Sequence, residues 1–337
     1  MSIKFKAAVA ASVAGLLTLT ACGGGSEAAS GTELNLVGFS VLEAVNKEAT
    51  AAFEDTDAGK DVGFLPSYSA SGDQSRAVEA GKAADLVHFS LEPDMKRVVE
   101  AGIVADDWNA GPTKGIASQS VVVFVVRTGN PENIQSWDDL IKPGVEIITP
   151  NPASSGSAKW NLLAAFGQAA GADQDEAAGK AYLQKLFGNA VALPESARDA
   201  TTLFTSGTGD VLLSYENEAI LAKQSGTDFD YVVPDTTLLI ENPAAVTVEA
   251  PEAAQSFFDF LISEAGQAIY ATYGFRPLVD VGTVEVEGAN DPADPFPAPG
   301  TLLTIADAFG GWDDANSKYF DETEGIITKL LAESGQG

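Results

Sequence analysis

The sequence predicts an α/β chain folded as two doubly wound lobes. From Glu33 onward, apolar strand-like runs alternate with runs of helical periodicity. Ser120–Arg127 (SVVVFVVR) is β-branched and apolar on both faces, as a central strand covered on both sides must be. With 337 residues, 45% of them hydrophobic, the chain has more core-forming material than one lobe uses. Sheets of this kind bind ligands beyond the carboxyl ends of their strands.

The first segment is a leader rather than part of the fold. Lys4 and Lys6 precede an apolar run, Ala7–Leu19, too short to span a membrane as an anchor, so residues 1–21 read as a secretory signal. It ends Leu19-Thr20-Ala21-Cys22, which resembles a bacterial lipobox and marks Cys22 for lipidation. Cys22 is the sole cysteine, so no intrachain disulfide can form. Residues 22–31, rich in glycine, read as a flexible tether.

Strands are then expected at 34–39, 62–66, 84–89, 120–127, 145–149, 189–193, 209–215, 229–234 and 245–248. Helices are expected at 41–53, 73–82, 93–101, from Trp160 to Phe166, at 216–223, 252–263, 266–273, 306–312 and 326–332. Three strand-to-helix corners carry small polar residues. Asn151-Pro-Ala-Ser-Ser-Gly-Ser157 opens the helix containing Trp160. Ser67-Tyr-Ser-Ala-Ser-Gly-Asp-Gln74 has Ser71 and Gln74 at capping-box spacing, and Leu193-Pro-Glu-Ser-Ala-Arg198 offers Ser196 as a cap. Helix starts leave backbone N–H groups without acceptors at a positive dipole end, which suits a small anion. For any one such turn taken alone, capping is the simpler explanation of its serine, and it is the recurrence of three that points to an anion.

Formal charge is −29. Without Lys4 and Lys6 the remaining chain has 17 basic and 48 acidic residues, or −31. Nucleic acid and anionic membrane surfaces are poor partners for such a chain. Distant charges are screened over about 8–10 Å, so donors in a cleft can still bind an anion. The lone His88 sits in an apolar strand. No metal-ligand spacing, Gly-x-Ser-x-Gly elbow or free catalytic cysteine points to an enzyme, and no cofactor is expected. Glu216 and Glu218 read as dipole partners or lobe contacts.

Asn151-Pro152-x-Ser154-Ser155-Gly156-x-Ala158-Lys159-Trp160-Asn161 resembles the signature of sulfate-binding proteins of bacterial ABC importers. The resemblance extends through Ser71-Gly72-x-Gln74, Trp137-x-Asp139-Leu140-Ile141-Lys142-Pro143-Gly144, Ser196-Ala197-Arg198, Glu216-Asn217-Glu218-Ala219, Arg276-Pro277 and Phe309-Gly310-Gly311-Trp312. It implies two hinged α/β lobes of the type II periplasmic binding protein kind, lobe 1 from residues 32–118 and 236–337 and lobe 2 from residues 119–235. It implies a dehydrated sulfate held by hydrogen bonds from Ser71, Ser155, Gly156, Ser157, Ala197 and Tyr215, with Ser40 nearby. Arg198 and Arg76, each just after its turn, read either as ion-pair partners of the anion or as braces for the loop peptide. It further implies a monomer, lipid-anchored on the outer face of the cytoplasmic membrane, delivering its ligand to a membrane permease. Ser157 stands where the family usually has glycine, Tyr215 replaces a tryptophan and Ser40 an aspartate. Thiosulfate, molybdate or phosphate are the other oxyanions to weigh, with Asp73 the candidate acceptor for a protonated one. Because none of the residues assigned to the anion titrates there, affinity is expected to be flat over about pH 5–8.

Overall fold

A computed structural model describes residues 31–335; the leader, Cys22 and all of the tether before Gly31 lie outside them. In chain order the first elements are β1 (Thr32–Phe39), a 3-10 turn (Ser40–Leu42), α1 (Glu43–Glu54), β2 (Val62–Ser69), α2 (Ser71–Glu79), β3 (Leu86–His88), α3 (Glu92–Glu100) and β4 (Ile116–Val126). Next come α4 (Trp137–Leu140), β5 (Ile147–Ile148), α5 (Gly156–Ala170), α6 (Glu176–Asn189), β6 (Ala190–Ala192), α7 (Ala197–Thr205), β7 (Val211–Tyr215), α8 (Glu216–Gln224) and β8 (Asp230–Val232). The chain closes with β9 (Thr236–Val246), α9 (Glu252–Leu261), α10 (Glu264–Thr272), β10 (Thr301–Leu303), α11 (Ile305–Phe309), α12 (Trp312–Phe320) and α13 (Ile326–Ser334).

The strands run in the order β2-β1-β3-β9-β4-β7-β5-β6, with β10 added to β9 and β8 to β4. β1, β2 and β3 are mutually parallel, as are β5, β6 and β7. β9 runs against β3 and β4, and β4 against β7 and β8, while β10 lies parallel to β9, so the sheet is mixed where a parallel one was expected. The reason lies in what β4 and β9 do. Ile116–Val121 of β4 pair with β9, whereas Val122–Val126 pair with β7. β9 in turn pairs with β4 as far as Pro243 and with β3 from Ala244. Each passes from one set of parallel strands to the other.

β9 begins at Thr236, nine residues before the strand expected at 245–248. Pro243 is tolerated because it sits beside a register shift opposite Ile116, where its missing N–H breaks no ladder bond. β4 is buried on both faces, as its composition predicts. α5 is buried on nearly all sides, so it shows no amphipathic stripe. The predicted helix 306–312 divides at Gly310 and Gly311, whose φ values of 76° and 99° turn the chain and begin α12. Trp312 then meets Trp160 edge-on at 4.7 Å and Tyr319 meets Phe166 at 4.8 Å. Both aromatics come from the end of the chain and pack on α5.

A corner where helix starts converge

α2 begins at Ser71 itself. Ala70 occupies the cap position without a side-chain bond, and Gln74 Nε2 donates to Ser67 Oγ at 3.2 Å, so the predicted capping box does not form. The Ser71 hydroxyl is committed elsewhere: it donates to Asp94 Oδ2 at 2.6 Å and accepts the Ser90 N–H at 2.9 Å. Ser75 Oγ donates to Asp94 Oδ1 at 3.4 Å and accepts from Arg97 Nε at 3.2 Å. Burial pushes the Asp94 carboxyl up; the Ser71 bond and then Lys159, Arg97 and Arg76 pull it back.

The second corner lies against the first. Gly72 N–H donates to Ser154 O at 3.2 Å, and a β-carbon at Gly72 would come within 2.9 Å of that oxygen. Asn151 shapes the turn through its side chain, accepting the Ala153 N–H at 2.9 Å, and through its carbonyl, accepting the Ser155 N–H at 2.8 Å. Ser155 is the residue before α5 but makes no capping bond, and Ser154 Oγ donates to Glu195 O at 2.8 Å. The capping explanation for these serines therefore does not describe them. Ser157 is 4% exposed and its hydroxyl has no hydrogen-bond partner.

The third corner closes on the second, with Asn151 N–H donating to Pro194 O at 2.8 Å. Here Ser196 caps as predicted: its Oγ accepts the Asp199 N–H at 3.1 Å and donates to Asp199 Oδ2 at 2.7 Å. Ala197 is the first residue of α7, which packs against the Ser40–Leu42 turn. Arg198 braces the corner through Glu218, Nε to Oε1 at 3.1 Å, while Arg76 pairs with Asp73 at 2.5 Å. Glu216 is fully buried and paired with Arg276 at 2.6 Å, a structural contact from α8 to the chain beyond α10.

Ser90, between β3 and α3, links the corners. Its hydroxyl lies 2.7 Å from the fully buried Tyr215 hydroxyl. Its carbonyl accepts from Trp160 Nε1 and from Asn242 Nδ2, both at 2.8 Å. A β-carbon on Gly156 would lie 2.5 Å from Ser90 Oγ, so only glycine permits this approach. Burial raises the Tyr215 phenol far above its ordinary range; its hydrogen bond with Ser90 opposes this most, and Ser157 and Asn242 lie near enough to oppose it too without forming a well-aligned bond. Tyr215 thus remains a neutral hydroxyl that can donate or accept. Behind Ser90, Ser118 Oγ donates to Asn242 Oδ1 at 3.1 Å, so its 3.1 Å contact with His88 Nε2 requires the imidazole to donate. His88 is buried, its pKa lowered to about 3 by desolvation, and it faces this network rather than the cleft.

Ser90 and Asp94 were absent from the sequence expectations. Their signal was present but weak: a serine at a strand end, then Glu92-Pro93-Asp94 in the first turn of a helix. Outside the contacts lies a cleft of about 590 Å³, whose walls include Gly72, Asp94, Ser155, Gly156 and Lys159. Lys159 Nζ donates to Asn316 Oδ1 at 2.8 Å. Among the described residues no group of three or more His, Cys, Asp or Glu side chains could hold a metal, and no helix is long and apolar enough to cross a membrane.

Two sets of parallel strands joined by two crossing strands, with helix starts from both sets meeting at one place, define a solute-binding protein of the type II periplasmic class. The chain belongs to the bacterial extracellular solute-binding proteins, whose family model matches residues 34–276. It is 36% identical over 335 residues to the sulfate-binding protein of Synechococcus elongatus, covering 94% of this chain and 93% of that one. It is 31% identical over 304 residues to the thiosulfate-binding protein of Escherichia coli, covering 87% and 88%. Among solved structures, the sulfate-binding protein SubI from Mycobacterium tuberculosis matches with a TM-score of 0.81 and 45% identity, over 86% of this chain and all of SubI. A periplasmic thiamin-binding protein shares the fold at 18% identity, with a TM-score of 0.64, over 85% of this chain and 95% of its own.

Proposed function

We propose that the protein captures sulfate in an interlobe cleft and delivers it to the permease of an ABC importer, without chemistry on the ligand. The observation that carries this reading is the meeting of three helix starts, at Ser71, Gly156 and Ala197, through the Gly72–Ser154 and Ser154–Glu195 contacts. Ser71, Ser155, Gly156, Ser157, Ala197 and Tyr215 are the contacts, Ser40 lies near, Arg198 and Arg76 support the loops, and Ser90 joins them. Hydrogen bonds to a charged acceptor are worth about 1.5–3 kcal/mol each, enough in sum to offset dehydration of a doubly charged ion.

Sulfate carries no proton at neutral pH and needs donors only. Hydrogen phosphate needs an acceptor, and Asp73, the acid weighed for that role, is engaged by Arg76. Thiosulfate is the second reading, because a relative of that name is 31% identical over most of the chain. In this proposal the first lobe is built from residues 32–118 and the chain from 236 onward, the second from 119–235. The two close over the ion in a monomer tethered to the outer face of the cytoplasmic membrane through a lipid on Cys22.

Calorimetric titration with sulfate, thiosulfate and phosphate tests the ligand; tighter binding of phosphate than of sulfate would reject the reading. Ser155→Ala should weaken sulfate binding by about 1–3 kcal/mol, and unchanged affinity would remove Ser155 from the site.

A further inference from the structure

Two buried hydroxyls meet where the first two corners join. Those of Ser90 and Tyr215 are 2.7 Å apart, and among the described residues neither makes a second hydrogen bond. Together they hold two hydrogens and share one bond, so one hydrogen is left over. A buried hydrogen without an acceptor is costly, and an anion that supplies the acceptor removes that cost. The surroundings decide which hydroxyl keeps the spare hydrogen. Ser90 is held in place through its backbone: its N–H donates to Ser71 Oγ at 2.9 Å, and its carbonyl accepts from Trp160 Nε1 and Asn242 Nδ2, both at 2.8 Å. The α5 backbone closes one flank of Ser90 Oγ, since a β-carbon on Gly156 would come within 2.5 Å of it. Tyr215 instead has further polar groups beside it, the unpartnered Ser157 hydroxyl and the Asn242 amide, near enough to act on its phenol.

We propose that Ser90 is a positioning residue for the anion: its hydroxyl donates to the Tyr215 oxygen, and the phenol hydrogen is thereby left for the ligand, beside Ser157. The inference rests on the sulfate reading and adds to it a residue that acts through another. A phenol is more acidic than a serine hydroxyl and the stronger donor to a charged acceptor, so this order places the better donor against the anion. Donation in one direction, from Ser90 to Tyr215 to the ligand, polarises each bond in turn. The arrangement also accounts for a tyrosine where the family usually has a tryptophan. An indole N–H is fixed by its ring and can only donate. A phenol O–H turns about its C–O bond and accepts as readily as it donates, so it needs a neighbour to fix its direction. Ser90, immobilised by three backbone bonds, supplies that neighbour.

The test is calorimetric titration with sulfate of native protein, Ser90→Ala, Tyr215→Phe and the double variant. Ser90→Ala deletes one hydroxyl and keeps the backbone bonds. It should weaken binding about 3- to 10-fold, the loss of one neutral hydrogen bond. Tyr215→Phe should weaken it about 10- to 100-fold, the loss of a donor to a charged acceptor. Adding Ser90→Ala to Tyr215→Phe should then cost nothing further, because Ser90 acts only through the phenol. A second loss of full size in the double variant would make Ser90 a structural residue and overturn the proposal, as would native affinity in either single variant. Should a variant fail to fold, native protein isotopically labelled at tyrosine Cζ gives a second reading. Saturation with sulfate should shift a tyrosine signal as the phenol gains a charged acceptor, and no shift in any tyrosine would overturn the donor role. Absence of sulfate binding by native protein would overturn the function and this inference together.

Discussion

The corners at α2 and α5 are built alike, a strand feeding a serine-containing turn and then a helix, but their hydroxyls differ in what they touch. Ser71 both donates and accepts inside the protein. Ser157, buried to a similar degree, does neither. A buried polar group without a partner costs about 1–3 kcal/mol of stability, whereas one with partners stabilises modestly. The α2 corner is thus part of the folded scaffold whether or not a ligand is present. The α5 corner keeps a desolvated donor beside Tyr215 and a helix N-terminus, where an anionic acceptor would restore the missing bond. Similar sequences at two corners serve different ends because only one has an acid, Asp94, packed beneath it.

Gly156→Ala should break the comparison most severely. Its methyl group would enter the space of Ser90 Oγ and of Leu91, 2.8 Å away, pushing apart the residues that join the two corners. We expect a stability loss of about 1–3 kcal/mol by urea denaturation, together with weaker sulfate binding. Native values for both would show that the approach of Ser90 to α5 is dispensable. Ser71→Ala comes next. It strands the Ser90 N–H and a buried carboxylate, so ligand-free protein should lose about 1–3 kcal/mol in the same assay. Ser157→Ala should cost folding nothing, since it deletes a buried group with no well-formed bond; a gain of about 0–1 kcal/mol is expected without ligand, the relief being partly offset by the space the hydroxyl leaves. Its sulfate affinity should nonetheless fall. Equal destabilisation by Ser71→Ala and Ser157→Ala would erase the distinction between the corners.

Much of this was legible in the residues. The Ser196 cap forms as its spacing predicts, and β4 is the buried central strand that its valines require. Elsewhere local chemistry misled. Ser71 and Gln74 have capping-box spacing, but Asp94 offers Ser71 a stronger acceptor from 23 residues away. That partner follows from the packing of α3 on α2, which no short window of sequence contains. The same holds for Ser90, whose part depends on Tyr215, 125 residues distant. Only the end of β9 was expected; a proline such as Pro243 is disfavoured inside an isolated strand, and here a register shift in the neighbouring strand accommodates it. The helix α6 was passed over although Asp175 caps it, receiving N–H groups from Ala177 and Ala178.

The divided loyalty of β4 has a consequence for how this chain could be dissected. Its first part, Ile116–Val121 apart from Ala117 at the register shift, completes a ladder with β9, and Val122–Val126 a ladder with β7. A cut between Val121 and Val122 would leave raw, unpaired peptide edges on both fragments, and neither could be produced alone as a self-sufficient piece. Gene fragments meant to yield one half in isolation must carry the whole of this strand, and with it an orphaned valine-rich end liable to seek a partner in another molecule.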